Sequence, residues 1–231
     1  MADHYAPTPR TRIRRLPKRA SYDHAAVHAV LDAGVLCHVG YVIDGQPYVT
    51  PTLYWRHGQR LYWHGSSASR MLRHLKAGVQ ACVTVSHLDG FVLARSGFHH
   101  SVNYRAVMAL GTARLVPDED KPGVLEDFVD RLLPGRWPEL RPVTRQELKA
   151  TTVLWMALEE VSAKIRTGMP VDDEEDYDLP VWAGVVPITT QIGAPQPDPR
   201  LHQDTSLPAY LQEASRLELL QRWCGSAGRD R

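Results

Sequence analysis

The sequence predicts a mainly β protein with accessory helices (an α+β fold), in which antiparallel strands close into a barrel. Short β-type segments follow one another and are joined by tight turns, of which Asp44-Gly45 is the clearest. Only a few helical segments interrupt them. The regular alternation of strand and helix that marks a parallel α/β protein is missing, so the helices are expected outside an antiparallel barrel.

The first part of the chain is predicted as an arm, a helix and three strands. Residues 1–20 form a basic arm with six arginines or lysines and three prolines, which oppose helix formation. A helix is predicted from Ser21 to Gly34, where glycine ends it. The strands that follow are predicted at 35–43, 48–55 and 61–64.

The middle of the chain continues the barrel and interrupts it once. A short helix is predicted over 69–77, and further β-rich segments are predicted at 81–86, 91–95, 102–116 and 152–165. Between the last two lies a helical insertion, about residues 118–151. Thr144 and Glu147 have the spacing of a capping box, which predicts a helix start inside that insertion.

The C-terminal part is predicted to be loop and tail. Six acidic residues occupy the seven positions 172–178, which indicates an exposed loop. Residues 189–231 form a tail with one amphipathic helix over 207–223, interpreted as an arm that packs on a partner subunit. The main domain is therefore predicted to span residues 21–188.

The composition is that of an ordinary soluble globular protein, with 43% hydrophobic and 23% charged residues. A formal net charge of +1 favours neither nucleic acid nor a membrane surface as a partner. The three cysteines show no CxxC spacing, and residues 1–20 lack the apolar segment of a secretory signal. No apolar stretch reaches the roughly 18 residues of a membrane span. A cytoplasmic protein is expected.

The most informative segment is 61–71, where a strand ends in a loop of small residues and a helix begins. This segment offers the hydroxyls of Ser66, Ser67 and Ser69 and the guanidinium of Arg70. Together with the unpaired N–H groups of a helix start, these groups can hold a dianionic phosphate. A serine-rich helix cap beside a solvated arginine is the alternative that the spacing leaves open.

A second polar cluster lies at 98–105, just before an apolar strand. Alternation places Ser101, Asn103 and Arg105 on one face of that strand, where they can line a polar pocket. A barrel rim that happens to be polar explains the same pattern.

Five short motifs occur in an order that resembles the pyridoxamine 5′-phosphate oxidase-like family. They are Gln46–Thr52, Leu61–Gly65, Ser69–Met71, Leu88–Gly90 and Ser101–Arg105. The sequence is most similar to the branch of flavin-nucleotide-binding proteins, close to nitroimidazole-resistance reductases, over about residues 12–188. The resemblance implies a six-stranded antiparallel split β-barrel of the FMN-binding type. It also implies a homodimer with FMN at the subunit interface.

The resemblance further implies individual contacts with the flavin. The cofactor-binding residues would be Tyr48, Val49, Thr50, Pro51, Thr52, His64, Gly65, Ser66, Ser69, Arg70, Met71, Asn103, Tyr104, Arg105 and Trp182. Ser69 and Arg70 would bind the phosphate, and residues 103–105 would approach from the partner subunit. One departure concerns Trp182, which lacks the arginine/histidine signature that follows such a tryptophan in a true pyridoxamine phosphate oxidase. Oxidation of vitamin B6 is therefore not predicted.

The expected function is an FMN-dependent oxidoreductase that acts on a small organic molecule, in the manner of a nitroreductase. Since no GxGxxG unit is present, NAD(P)H would bind only transiently. His64 is the candidate catalytic proton donor, because histidine titrates near neutral pH. The alternatives are a flavin carrier or sensor with little turnover, and a haem-handling split-barrel protein. No metal site of the zinc type is expected, because the eleven histidines lack zinc-ligand spacing.

Overall fold

Ten β-strands form one antiparallel sheet in this computed structural model, which describes residues 3–212 of the 231-residue chain. The strands are β1 (Ala20–Ser21), β2 (Leu36–Ile43), β3 (Gln46–His57), β4 (Arg60–Ser66), β5 (Gln80–Leu93), β6 (Ser101–Thr112), β7 (Arg114–Leu115), β8 (Thr151–Ala157), β9 (Glu160–Arg166) and β10 (Gly184–Pro187). Their order is β1-β9-β6-β5-β2-β3-β4-β8-β7, and β10 pairs with β5. The predicted class, a split antiparallel β-barrel with accessory helices, is confirmed.

The strand boundaries differ from the prediction, and the predicted segment 102–116 is divided into β6 and β7 at Ala113. The predicted segments 81–86 and 91–95 form the single strand β5, because a register shift between Leu88 and Gly90 lets the chain continue past Asp89. The predicted segment 152–165 is divided into β8 and β9 by a bend after Ala157. Ten strands are described instead of six, and β1 and β7 contain only two residues each.

The hairpin between β2 and β3 closes as predicted. Asp44 and Gly45 have φ angles of 50° and 79°. A type I′ turn requires positive φ at both of its central residues, and its twist matches that of the two strands of a hairpin. The turn fixes the register in which Tyr41 pairs with Tyr48.

Within the described residues four α-helices pack on the sheet: α1 (His24–Asp32), α2 (Arg70–Leu75), α3 (Lys121–Leu132) and α4 (Arg145–Ala150). The predicted capping box at the start of α4 is confirmed. The Thr144 hydroxyl accepts from the Glu147 N–H at 3.2 Å, and the Glu147 carboxylate accepts from the Thr144 N–H at 2.8 Å.

Two hydrophobic clusters hold these layers together. The main core lies inside the barrel, where Trp63, Leu61 and Val39 are fully buried together with apolar residues of α1 and α2. A smaller cluster forms on the other face of β4, where Tyr62 and residues of α3 pack together. The insertion is thus a cover for one outer face of the barrel.

The insertion is fixed at its base by a buried lysine. Lys121 is 5% exposed, and its ammonium donates to the carbonyl oxygens of Leu148 (3.1 Å) and Thr151 (2.7 Å). It also pairs with Asp118 at 2.7 Å. One cation therefore connects the start of α3 with the end of α4.

The basic arm contacts α1 and β9. Tyr5 is buried, and its hydroxyl lies 3.0 Å from His28 Nε2 and donates to Gln59 at 2.7 Å. Arg10 pairs with Glu160. The described part of the arm is thus joined to the barrel itself.

The acidic loop makes its contacts elsewhere. Asp172 is buried and pairs with Arg95 at 3.1 Å, and Asp173 lies 3.2 Å from His99. The prediction of a simply exposed loop is therefore wrong for Asp172.

The predicted tail helix over 207–223 is not formed where it can be compared. Residues 207–212 contain only the 3-10 turn Ala209–Leu211, and residues 213–223 lie outside the described residues.

Candidate functional site

A cleft of about 480 Å³ lies between the start of α2 and the β2–β3 hairpin. It is lined by Ile43, Ala68, Arg70, Arg73 and His74. Arg70, which the sequence predicts to bind phosphate, therefore lines a cleft.

An aromatic pair supports Arg70 from the hairpin side. The guanidinium carbon of Arg70 lies 4.2 Å from the centroid of the Tyr48 ring, which is cation–π geometry. Tyr48 stacks on Tyr41 with centroids 5.6 Å apart, and the Tyr41 hydroxyl lies 3.1 Å from the Thr50 hydroxyl. Two residues predicted from different motifs, Tyr48 and Arg70, are thus brought together.

Helical spacing places the cleft residues on one face of α2. Met71, Leu72 and Leu75 are buried in the core and anchor the helix. Arg70 and its neighbours three and four positions later, Arg73 and His74, therefore point away from the core together. Sequence reasoning missed Arg73 and His74, although this spacing would have found them.

The cleft carries positive charge without a compensating acid. Within residues 3–212, neither Arg70 nor Arg73 forms an ion pair with a carboxylate. The Nε2 atom of His74 is buried and has no hydrogen-bond partner in that range. Such a set of donors suits an oxyanion with several acceptor oxygens.

The serine loop before α2 offers side-chain hydroxyls, whereas α2 itself is too short to offer a strong helix dipole. Ser66 Oγ accepts from the Ala68 N–H at 3.2 Å, whereas the Ser69 side chain makes no capping hydrogen bond. Since α2 has only six residues, charge from Arg70 is a stronger argument for anion binding than the helix dipole. Gly65 lies close to the core, where an added Cβ would come 3.1 Å from Leu72.

The predicted flavin-contact strand has two faces. Tyr48, Thr50 and Thr52 are half-buried, whereas Val49 and Pro51 are exposed on the opposite face. Because successive side chains of a strand alternate, one ring within this protomer cannot contact all five side chains. The five predicted contact residues 48–52 therefore lie on two opposite faces of the strand.

His64 lies on the face of β4 that the insertion covers. Its ring packs edge-on against Phe128, with centroids 4.6 Å apart, and against Trp55 at 5.8 Å. Nδ1 is buried without a hydrogen-bond partner among the described residues. Burial lowers the pKa of this imidazole below its ordinary value. It is neutral at pH 7, and a neutral imidazole is a better proton acceptor than donor.

We expect the His64→Leu variant to lose less stability than the wild-type protein when the pH falls from 7.5 to 5. The unfolded chain binds a proton on this imidazole near pH 6.5, while the buried ring of the folded state resists it, so acid favours unfolding. Denaturant unfolding at both pH values measures the difference. An identical loss in both proteins would show that His64 titrates normally. His28 and His87, whose pKa values are also lowered by burial, account for the loss that remains.

The second predicted cluster lies far from the cleft within one protomer. Gly40, next to Tyr41, pairs with Cys82, which pairs with Leu110. Asn103 lies seven positions farther along β6, which corresponds to roughly 23 Å of strand. The structure does not bring the two predicted groups together in one chain.

Each member of that cluster has its own surroundings. Arg105 pairs with Asp89 through two hydrogen bonds of 2.8 and 2.9 Å. Asn103 is buried and contacts Arg166, a residue that no sequence pattern selects. Tyr104 is half-buried, and Trp182 is 67% exposed.

Residues 3–212 contain neither a metal-ligand cluster nor a membrane-spanning helix. No three His, Cys, Asp or Glu side chains come together there in a way that could hold a metal ion. No helix in that range is both long enough and apolar enough to cross a membrane.

Comparison with known proteins agrees with the motifs. The family profile described as pyridoxamine 5′-phosphate oxidase matches residues 23–165. A search of curated proteins gave no match.

Two solved structures are similar over most of this chain. Flavocytochrome Anf3 from Azotobacter vinelandii is 48% identical, with a TM-score of 0.86, and the match covers 90% of this chain and 97% of that one. The FAD and heme binding protein from Mycobacterium smegmatis is 41% identical, with a TM-score of 0.80 and coverage of 83% and 94%.

A third structure shares the fold at lower identity. It is a protein assigned to 5-nitroimidazole antibiotic resistance from Bacteroides thetaiotaomicron VPI-5482. The identity is 18% and the TM-score 0.52, and the match covers 63% of this chain and 86% of that one.

Proposed function

Because this chain belongs to the pyridoxamine 5′-phosphate oxidase family, we propose that it is a flavin-binding redox protein. The observation that carries the proposal is the cleft at Arg70. There a guanidinium without an acidic partner is stacked on Tyr48, at the position where the motif order places phosphate binding. The descriptions of the two similar structures, a flavocytochrome and a FAD and heme binding protein, support the same cofactor class.

The cleft residues fit the phosphate end of a flavin nucleotide. Arg70 and Arg73 supply positive charge, and the Ser69 hydroxyl is not used by a helix cap. The unpartnered Nε2 of His74 can donate a further hydrogen bond when it carries the proton. Together these groups would bind and orient the nucleotide.

FMN is the flavin that we propose from the sequence motifs. FAD is the alternative, and the 41% identical protein is described as binding it. Both carry phosphate, so the cleft alone does not separate them. Release of the flavin by denaturation, followed by chromatography against FMN and FAD standards, identifies the one that is bound.

The redox role follows from the cofactor class. A bound flavin would supply hydride and single-electron transfer, and the protein would supply placement and proton management. A neutral His64 would accept rather than donate a proton at pH 7, which modifies its predicted role as a proton donor. We propose a small organic molecule as the substrate and transient NAD(P)H as the electron source. The free thiols of Cys37 and Cys82 accord with a cytoplasmic protein.

We further propose that the protein is a homodimer. An exposed apolar strip covers the outer face of β2 and β3 and consists of Leu36, Val42, Pro47, Val49, Pro51 and Leu53. Large contiguous apolar surfaces mark protein interfaces. A second subunit on this strip would also explain why the cleft and the Asn103 cluster lie apart in one chain. The flavin would lie where the two chains meet.

Haem binding is a second candidate, favoured by the histidines. His64 Nδ1 and His74 Nε2 are both buried without partners in the described range, and a neutral imidazole is the form that ligates iron. Both similar structures carry descriptions that include haem or a cytochrome. One of these imidazoles would ligate the haem iron.

The absorbance spectrum of the purified protein tests both cofactors. We expect flavin bands that bleach when NAD(P)H is added without oxygen and return when a nitroaromatic compound is added. A Soret band in the same spectrum would add haem. Flavin bands that no nicotinamide bleaches would indicate a carrier or sensor instead of an enzyme. A colourless protein that takes up no added flavin would contradict the proposal.

A further inference from the structure

A buried arginine without a counter-ion lies at the end of β9. Arg166 is only 7% exposed. Its guanidinium donates to the Asn103 side-chain oxygen and, at 3.5 Å, to the carbonyl oxygens of Gly168 and Met169. These acceptors are neutral. In residues 3–212 Arg166 forms no ion pair, and its buried Nε has no hydrogen-bond partner.

A second cation increases this imbalance. Arg19 ends the turn before β1, and β1 pairs with β9, so that Ala20 lies opposite Lys164. Burial of the Arg166 guanidinium, and after it the charge of Arg19, lower the pKa of Arg166. Within the described residues Arg19 also forms no ion pair with a carboxylate. Tyr104 on β6 is the residue that pairs with Arg166 across the sheet. Two positive charges thus share one end of the sheet.

Three other partly buried arginines of the same chain are compensated. Arg56 pairs with Asp32, Arg95 with Asp172, and Arg105 with Asp89. Buried charges in folded proteins are normally paired, because water no longer solvates them. Unlike these three, the buried Arg166 has no acidic partner in residues 3–212, which points to a negative group that comes from outside that range.

We propose that Arg166, together with Arg19 and Tyr104, binds an oxyanion, a carboxylate or phosphate group of a bound ligand. The guanidinium offers the unpartnered Nε–H to it, and the Tyr104 hydroxyl offers a second donor. A flavin phosphate and a haem propionate are the two sources of such a group among the cofactors proposed above. That choice of source rests on the proposed function, whereas the anion site does not.

Inorganic phosphate tests the site directly. The full-length chain, depleted of cofactor, carries Arg70→Ala in all samples so that the cleft at α2 does not contribute. Arg166→Gln keeps side-chain donors and removes the charge, Arg166→Lys keeps the charge, and Arg60→Gln removes one exposed charge elsewhere. Thermal unfolding is followed against phosphate, with chloride at equal ionic strength as the reference.

We expect phosphate to raise the midpoint of the parent, of Arg166→Lys and of Arg60→Gln, because a ligand that binds only the folded state stabilises it. In Arg166→Gln the apparent Kd for phosphate should rise on the order of 10- to 100-fold, as for a lost charge-assisted hydrogen bond. An equal response in Arg166→Gln, or no response in the parent, would overturn the proposal. If Arg166→Gln fails to fold, a reduced phosphate response in Arg19→Gln would support the proposal, and an unchanged response in Arg19→Gln would overturn it.

Matched cofactor pairs identify the source of the anion. A larger effect of Arg166→Gln on FMN than on riboflavin assigns a flavin phosphate, and a larger effect on haem than on its dimethyl ester assigns a propionate. Loss of the phosphate response alone assigns a free anion, which also supports the site. A protein that binds no flavin or haem but keeps the Arg166-dependent phosphate response would contradict the proposed function and leave the anion site intact.

Discussion

We expect Arg70→Ala to weaken FMN binding by at least roughly 10-fold, because a charged group that hydrogen-bonds a phosphate contributes about 1.5–3 kcal/mol. Arg70 is placed for this role by the anchored helix α2 and by the Tyr48 ring, 4.2 Å from its guanidinium carbon. Fluorescence quenching of added FMN measures the affinity. The fold should survive, since the side chain of Arg70 lies on the surface.

Riboflavin is the matched control for this variant, because it lacks only the phosphate. Arg70→Ala should leave riboflavin affinity almost unchanged, and Arg60→Ala, at an exposed arginine outside the cleft, should leave both affinities unchanged. Equal losses for FMN and riboflavin would mean that Arg70 supports the ring or the fold instead. An unchanged FMN affinity would place the phosphate elsewhere.

The second large effect is expected from Val49→Asp, which should convert a dimer into monomers that retain little flavin. Val49 is 67% exposed within one chain and lies in the centre of the apolar strip, next to Pro51. An aspartate in an interface core must give up its water without a partner, which typically costs several kcal/mol. Light scattering coupled to gel filtration measures the mass, and the absorbance ratio measures bound flavin.

Circular dichroism should show an unchanged fold for Val49→Asp, because the side chain is not part of the protomer core. Leu115→Asp on β7 is the matched control, with an exposed apolar side chain outside the strip, and it should remain dimeric. A monomeric wild-type protein, or a Val49→Asp variant that stays dimeric, would refute the assignment of the strip as the interface.

The hairpin and the cleft arginine could be predicted because their signals are local. The Asp44-Gly45 pair specifies its turn through two positive φ angles. The small-residue loop before Arg70 breaks a strand and begins a helix within ten residues. The bulge in β5 could not be predicted in the same way, because Asp89 and Gly90 resemble turn residues until Val185 and its neighbours pair beside them.

The orientation of His64 and the isolation of Arg166 depend on contacts distant in sequence. His64 sits on a strand with two usable faces, and the choice between the barrel interior and the insertion is decided by Phe128, 64 positions later. Whether Arg166 meets an acid depends on Asn103 and on the chain after β9. The spacing of residues within one segment predicts neither the orientation of His64 nor the lack of an acidic partner for Arg166.

The buried ammonium of Lys121 sets limits on how the insertion can vary. Lys121 holds the start of α3 against the end of α4, so both ends of the insertion are fixed at one point. The segment between α3 and α4 can therefore change in length without moving these two ends. Insertions between α3 and α4 should therefore leave the packing of Phe128 on His64 intact, whereas Gly135, with a φ of 83°, favours glycine. Removing the charge of Lys121 would loosen the insertion, because the first turn of α3 would lose its attachment to the end of α4. The His64 imidazole would then be exposed to water.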